Sequence, residues 1–265
     1  MATGATDSGT AGMSVMQQLV PLMSLFVKTY FRAEVRGEQH IPDDGVLIVS
    51  NHSGGTFSVD MPMVATAFAD RFGAPRNVHT IAHDVMFLGP FGPVMRAFGL
   101  VPGSREGAVE ILRSGESLLV FPGGDRDAMR PTRDGAKIDF YGRQGYIRTA
   151  LEAGVKILPV VTIGGQETQL YLNDGTGLAR FLRFDKMFRT KSAPLTLGFP
   201  FGLTPSLPPN LPLPSKLVTE ILEPIDIEAE FGRDPDIEQV DEMVRKRMQH
   251  ALDGLARERR FPVLG

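Results

Sequence analysis

Apolar residues along this chain recur at two spacings, and the change falls after Phe31. From Met13 to Phe31 the residues Met16, Leu19, Val20, Met23, Phe26, Val27, Tyr30 and Phe31 follow helical spacing, with Ser14, Gln17, Gln18, Ser24 and Lys28 on the other side. Pro21 predicts a kink in that helix. Leu22 and Leu25 widen its apolar face beyond one core contact, so two readings stay open: a helix packed on the core, or one laid into a lipid interface. Short apolar runs then alternate with helical patterns. Arg32 to Gly37 and Val46 to Val49 predict strands, joined by a turn at Pro42-Asp43-Asp44-Gly45. Met61 to Phe72 predicts a helix with Asp60 or Ser58 as cap, Pro62 in its first turn and Gly73 as its stop. Val78 to Ala82 is a strand, Arg105 to Arg113 a helix capped by Ser104, and Ser117 to Phe121 a buried strand. A helix over Arg143 to Ala153 precedes a β-branched strand, Lys156 to Ile163. Two further strands, Leu195 to Phe199 and Lys216 to Ile221, and a charged helix from Asp236 to Arg259 complete the series.

This alternation predicts an α/β fold: a single domain with a mostly parallel central sheet flanked by helices, plus the apolar N-terminal helix. The small, polar opening 1–12 is expected to be disordered, 13–31 to form the apolar helix, and 32–265 to fold as one domain. Composition agrees, with 42% hydrophobic and 22% charged residues in 265, enough for a substantial core. A net charge of -3 argues against nucleic acid as a partner. The absence of cysteine excludes disulfides and thiol chemistry, and the five histidines show no metal-ligand spacing, so no metal site is expected. No run reaches the roughly 18 to 20 apolar residues of a membrane span, and the opening does not resemble a signal peptide. Leu178 to Lys191 interleaves aromatic residues with Arg180, Arg183, Lys186, Arg189 and Lys191, a pattern that suits either anionic headgroups or a solvated helix face.

Polar, glycine-bearing clusters follow three of the predicted strands, where ligands of such sheets collect. His52, in Ser50-Asn51-His52-Ser53-Gly54-Gly55, leaves the Val46 to Val49 strand with Asp60 downstream. A histidine oriented by a carboxylate is a candidate general base, and the plainer reading is a loop histidine satisfied by backbone. Gly103-Ser104-Arg105 puts an arginine at the positive end of a helix, which favours either a bound anion or an internal carboxylate. Pro122-Gly123-Gly124-Asp125-Arg126-Asp127 after the Ser117 to Phe121 strand allows close approach of backbone to a ligand, or is a tight turn. No dinucleotide loop, nucleophile elbow or phosphate loop occurs. Met86 to Phe98 supplies apolar residues for a groove.

Taken in order, four blocks resemble the glycerolipid (lysophospholipid) acyltransferase superfamily, and within it the branch of monoacylglycerol and diacylglycerol acyltransferases. They are Asn51-His52 to Asp60, Gly99 to Arg105 (GLVPGSR), Phe121 to Asp127 (FPGGDRD) and Ile157-Leu158-Pro159-Val160. The family spacing H-x-x-x-x-D would put its aspartate at Phe57, and Asp60 takes that role here as if Gly54-Gly55-Thr56 were inserted. The third block lacks the family glutamate, at Gly123, for which Asp127 is the stand-in. The resemblance makes 32–265 an acyltransferase domain. It implies transfer of a fatty acyl group from acyl-CoA or acyl carrier protein to a glycerolipid hydroxyl such as that of lysophosphatidate, with His52 and Asp60 catalytic. Gly103, Ser104, Arg105, Pro122, Gly123, Gly124, Arg126 and Asp127 would bind substrate, the amides near Gly123 and Gly124 also serving an oxyanion. No cofactor is expected beyond the co-substrate. Partners are the lipid acceptor, acyl-CoA and a membrane touched peripherally from its cytoplasmic face; no oligomeric state is implied. The competing readings are a non-catalytic lipid- or acyl-CoA-binding protein with a degraded site, and an acyl-thioester hydrolase.

Overall fold

In a computed structural model, all residues are described except 1–7, 56–57, 74–75, 88, 182, 184–191, 206–207, 262 and 265. The strands in chain order are β1 (Glu34–Arg36), β2 (Leu47–Ser50), β3 (Val78–Ala82), β4 (Leu100–Pro102), β5 (Ser117–Val120), β6 (Ile157–Ile163), β7 (Leu170–Tyr171), β8 (Thr196–Gly198), β9 (Gly202–Thr204) and β10 (Val218–Ile221). The helices are α1 (Ser8–Tyr30), α2 (Asp60–Phe72), α3 (Phe91–Ala97), α4 (Arg105–Arg113), α5 (Gly124–Ala128), α6 (Gly145–Ala153), α7 (Thr176–Phe181), α8 (Ile227–Phe231) and α9 (Ile237–Glu258).

Seven strands form one sheet in the order β1-β10-β6-β2-β5-β3-β4. From β6 to β4 every pairing is parallel; β10 meets β6 antiparallel and carries β1 along with it. The expected mostly parallel sheet is therefore present. β2, β5 and β6 are buried at every position, which is why they read as largely apolar runs. Alternate residues serve opposite faces. Leu47 and Val49 of β2 join Leu118 of β5 and Ile157 of β6 under α4, α6 and α9, whereas Val46 and Ile48 join Leu119 and Leu158 under α2. Val27 of α1 and Phe31 just after it pack with Met63 of α2 and Val59.

α1 contains Pro21, and among the described residues no helix is long and apolar enough to cross a membrane. Of the stretch expected to be disordered, 1–7 lie outside the described residues, while the backbone is helical from Ser8. Neither Asp60 nor Ser58 caps α2: Val59 is the capping residue, no side chain accepts there, and the Asp60 carboxylate is engaged elsewhere. Ser104 does cap α4, its Oγ accepting from Gly107 N at 3.1 Å. A second, three-stranded sheet, β7-β8-β9, was not expected from the sequence; it absorbs the predicted Leu195 to Phe199 strand. The basic stretch at 178–191 falls largely outside the described residues.

Candidate active site

β2 lies between β5 and β6, and the loops leaving the carboxyl ends of all three meet. Pairing between β2 and β6 ends at Ser50 with Val160. Asn51 then extends it with a side chain: its Nδ2 donates to Thr162 O at 2.9 Å and its Oδ1 accepts from Thr162 N at 2.8 Å. That buried double bond fixes where the next residue, His52, stands. Gly165 allows the loop to lie this close to the end of β6, because a side chain there would run into Ser53 Oγ.

His52 and Asp60, the first residue of α2, come together despite their unusual spacing. His52 Nδ1 is 2.9 Å from Asp60 Oδ2. The same oxygen accepts from Ser53 N at 2.6 Å, and Oδ1 accepts from Ser53 Oγ at 2.6 Å. Asp60 is fully buried. A carboxylate only accepts, so this contact assigns the imidazole proton to Nδ1 and leaves the Nε2 lone pair free. Among the described residues Nε2 has no hydrogen-bond partner. The ring also stacks on Phe121 at the end of β5, centroids 4.2 Å apart and planes 17° from parallel.

One residue of the third cluster, Asp127, supports this histidine. Asp127 is buried; its Oδ2 accepts from His52 N at 2.7 Å and its Oδ1 is 2.7 Å from an Arg130 guanidinium nitrogen. Burial pushes the Asp127 carboxyl up to about 6, with Arg130 and the His52 amide pulling the other way. Gln166 Nε2 donates to Asp127 O at 2.8 Å, which ties the loop after β6 to the same point. Asp127, expected to touch substrate, thus has its carboxylate committed inside the protein. Gly124 N–H is also committed, to Phe121 O at 3.0 Å, leaving the Gly123 N–H as the amide that no described group takes. Gly123 has no space for a side chain, since one would meet Asp127. Buried Pro122 has its carbonyl bound by Arg143 at 2.9 Å.

Arg126 does face a cavity. It lies over the Tyr141 ring, 4.5 Å from the centroid, and has no carboxylate partner among the described residues. With Arg130, Arg133 and Lys137 it lines a cavity of about 580 Å³, whose acids are Asp134 and Asp174. Arg105 does not join them. It pairs with Glu152 of α6 at 2.6 Å, the internal-carboxylate alternative, and β4, which leads to it, lies three strand spacings from β2, roughly 14 Å. Gly103 and Ser104 stay with it at that edge. Among the described residues no group of histidine or acidic side chains has the arrangement to hold a metal. Phe121, Asn51, Gln166 and Arg130 carried no signal that sequence spacing could isolate, because their roles depend on which strands are neighbours.

Comparison with known proteins adds to this geometry. The family model described as Acyltransferase matches residues 32–163. An uncharacterized protein of Mycobacterium tuberculosis (H37Rv) is 32% identical over 91% of this chain, and the chain spans 66% of its length. A "DGAT1/2-independent enzyme synthesizing storage lipids" of Mus musculus is 33% identical over 71% of this chain and 55% of its own. The fold is similar to that of the 1-acyl-sn-glycerophosphate (LPA) acyltransferase PlsC of Thermotoga maritima, with TM-score 0.55, 18% identity, and coverage of 91% of this chain and 82% of that one.

Proposed function

This chain belongs to the glycerolipid acyltransferase superfamily, and from that premise we propose that it moves a fatty acyl group from acyl-CoA, or acyl carrier protein, to a hydroxyl of a glycerolipid such as lysophosphatidate. The observation that carries this reading is His52 held through Nδ1 by buried Asp60 at 2.9 Å, with Nε2 unengaged among the described residues. In the reaction Nε2 takes the acceptor's hydroxyl proton as the oxygen attacks the thioester carbonyl. The tetrahedral oxyanion collapses, the carbon–sulfur bond breaks, and the departing thiolate receives the proton back from Nε2. Asp60 stabilises the imidazolium in between. The untaken Gly123 N–H is the oxyanion donor in this reading, in place of the Gly123 and Gly124 pair.

Arg126, beside the basic cavity, holds the anionic end of a substrate; Arg105, committed to Glu152, is left out of that role. Kinship with a storage-lipid enzyme keeps monoacylglycerol and diacylglycerol beside lysophosphatidate as acceptors. The chain is taken to work from the cytoplasmic face of a membrane, touching it peripherally, and to need no cofactor beyond the thioester.

The test is acyl transfer from labelled palmitoyl-CoA to a panel of lysophospholipids and acylglycerols. His52→Ala is expected to lower kcat by about a hundred- to ten-thousandfold, and Asp60→Asn to lower it strongly as well. Activity surviving His52→Ala removes the base. Free fatty acid without acylated acceptor reassigns the same site to hydrolysis of thioesters. The reading of a degraded, binding-only site drew on the odd histidine–aspartate spacing, and the 2.9 Å contact takes that support away.

A further inference from the structure

The three-stranded sheet is built with its polarity reversed. Along β8 and β9 alternate side chains face opposite sides. Those turned towards the body of the protein are Thr196 and Thr204, 2% and 6% exposed, their hydroxyls 2.9 Å apart. Buried Asn210 completes that inner side, its Oδ1 accepting from Phe201 N and its Nδ2 donating to Gly202 O. On the outer side, register pairs Leu197 with both Leu170 and Leu203. Leu197 and Leu203 are 45% and 59% exposed, and Phe199 and Phe201, flanking the turn, are 71% and 54% exposed. An antiparallel sheet with one face in water has the opposite pattern, apolar inside and polar outside. Because the inner polar groups are paired, the reversal is not a packing fault. It presents leucine and phenylalanine to whatever lies outside.

That surface continues on both sides. Leu211 N donates to Phe199 O at 2.7 Å and Tyr30 Oη donates to Pro212 O at 2.7 Å, tying the turn to α1. On α1, Leu22, Leu25 and Phe26 are exposed on one side. At the foot of β8, Ser192 Oγ donates to Asp174 O and Ala193 N to Gly175 O, which ties in α7. There Phe181 is 83% exposed between Arg180 and Arg183, both exposed and without a carboxylate partner among the described residues.

We propose that this face, comprising the outer side of the β7-β8-β9 sheet, its Phe199–Phe201 turn and the exposed side of α1, docks on a lipid surface bearing anionic headgroups. The apolar side chains enter the acyl boundary while Arg180 and Arg183 meet headgroup phosphates. A protein partner would have to match a sheet, a turn and a helix at once. Lipid accommodates all three without shape complementarity, and the two exposed arginines supply the matching charge. The inference rests on the membrane contact proposed above and gives that contact a surface; it does not depend on the reaction.

The experiment is co-sedimentation of the full chain with vesicles of phosphatidylcholine alone and of phosphatidylcholine with phosphatidylglycerol. Two variants are compared, Leu197→Ser with Leu203→Ser, and Phe199→Ser with Phe201→Ser. Each pair is expected to lower vesicle partition by about tenfold or more, with thermal unfolding unchanged because the buried threonine side is untouched. Arg180→Gln with Arg183→Gln is expected to weaken binding only to the anionic vesicles. Wild-type protein that binds while both apolar variants bind equally well overturns this face and leaves membrane contact standing elsewhere. Wild-type protein that binds neither vesicle removes both. A dimer in light scattering that the Leu197→Ser, Leu203→Ser variant converts to monomer would assign the face to a second copy and overturn the proposal.

Discussion

Asp60 is fully buried, and both its oxygens are used, by His52 and by the amide and hydroxyl of Ser53. His52 is thereby held at one ring edge, and Phe121 holds it by one face. Phe121→Ala removes the stacking surface without touching a proton-carrying group. We expect kcat to fall about ten- to a hundredfold with KM little changed, and Phe121→Tyr to restore most of it, measured by steady-state kinetics. Asp127 supports the histidine's backbone and titrates in its own right. Its folded pKa, about 6, lies above the ordinary 3.8, so the folded state binds this proton more tightly than the unfolded chain. The associated stability is present below pH 3.8 and is lost as pH rises through about 6. Asp127→Asn has no such loss. Its melting temperature should therefore gain on the wild type's between pH 4 and pH 7, by the equivalent of at most about 3 kcal/mol; a gap that does not move with pH contradicts the assignment. His52 could be read from the sequence because it is one of only five histidines and stands just past a strand end, and Asp60 because it is the next acidic residue after it. Asp127 could be found but not placed: FPGGDRD does not say whether the carboxylate faces a ligand or the neighbouring loop.

Among the elements, β2, β5 and β6 were legible as largely apolar runs because a strand buried on both faces admits few polar positions, Thr162 being the one inside β6. Their order in the sheet was not, since each run would pair with any other. What fixes the site is a contact beyond the ladder, from Asn51 to the backbone of Thr162. Asn51→Ala leaves a buried amide and a buried carbonyl without partners and should cost roughly 2–4 kcal/mol in urea unfolding. The same variant should lower activity more than its stability loss explains, because the next residue is His52. A drop in stability with unchanged kcat would mean that the loop is positioned by Asp60 alone. The hairpin of β8 and β9 escaped the sequence for a different reason. Its exposed leucines and phenylalanines look like core positions when only alternation is read, so the pattern gives the period and not which face is inside.

At the scale of the whole molecule, α9 closes one face of the sheet with Val240, Val244, Met248, Leu252 and Leu255, a single stripe at helical spacing that is buried throughout. Met248→Ala should cost about 2–5 kcal/mol and lower the melting temperature, while kcat measured well below that temperature stays unchanged. A loss of kcat there would show that the stripe is coupled to the loops at the other end of the strands. The edge beyond β6 has a further consequence. β1, near the start of the chain, pairs with β10, and Phe31 and Glu34 exchange backbone bonds with Leu217. Some 180 residues separate the two strands. At ribosomal rates of about 5–20 residues per second, β1 and the apolar helix before it leave the exit tunnel roughly 10–40 seconds ahead of the strand that secures them. During that interval α1 has α2 for company and no finished sheet edge beside it. A nascent chain stalled before β10 should accordingly be bound by holdase chaperones through its first segment, and one stalled after β10 has cleared the tunnel should not.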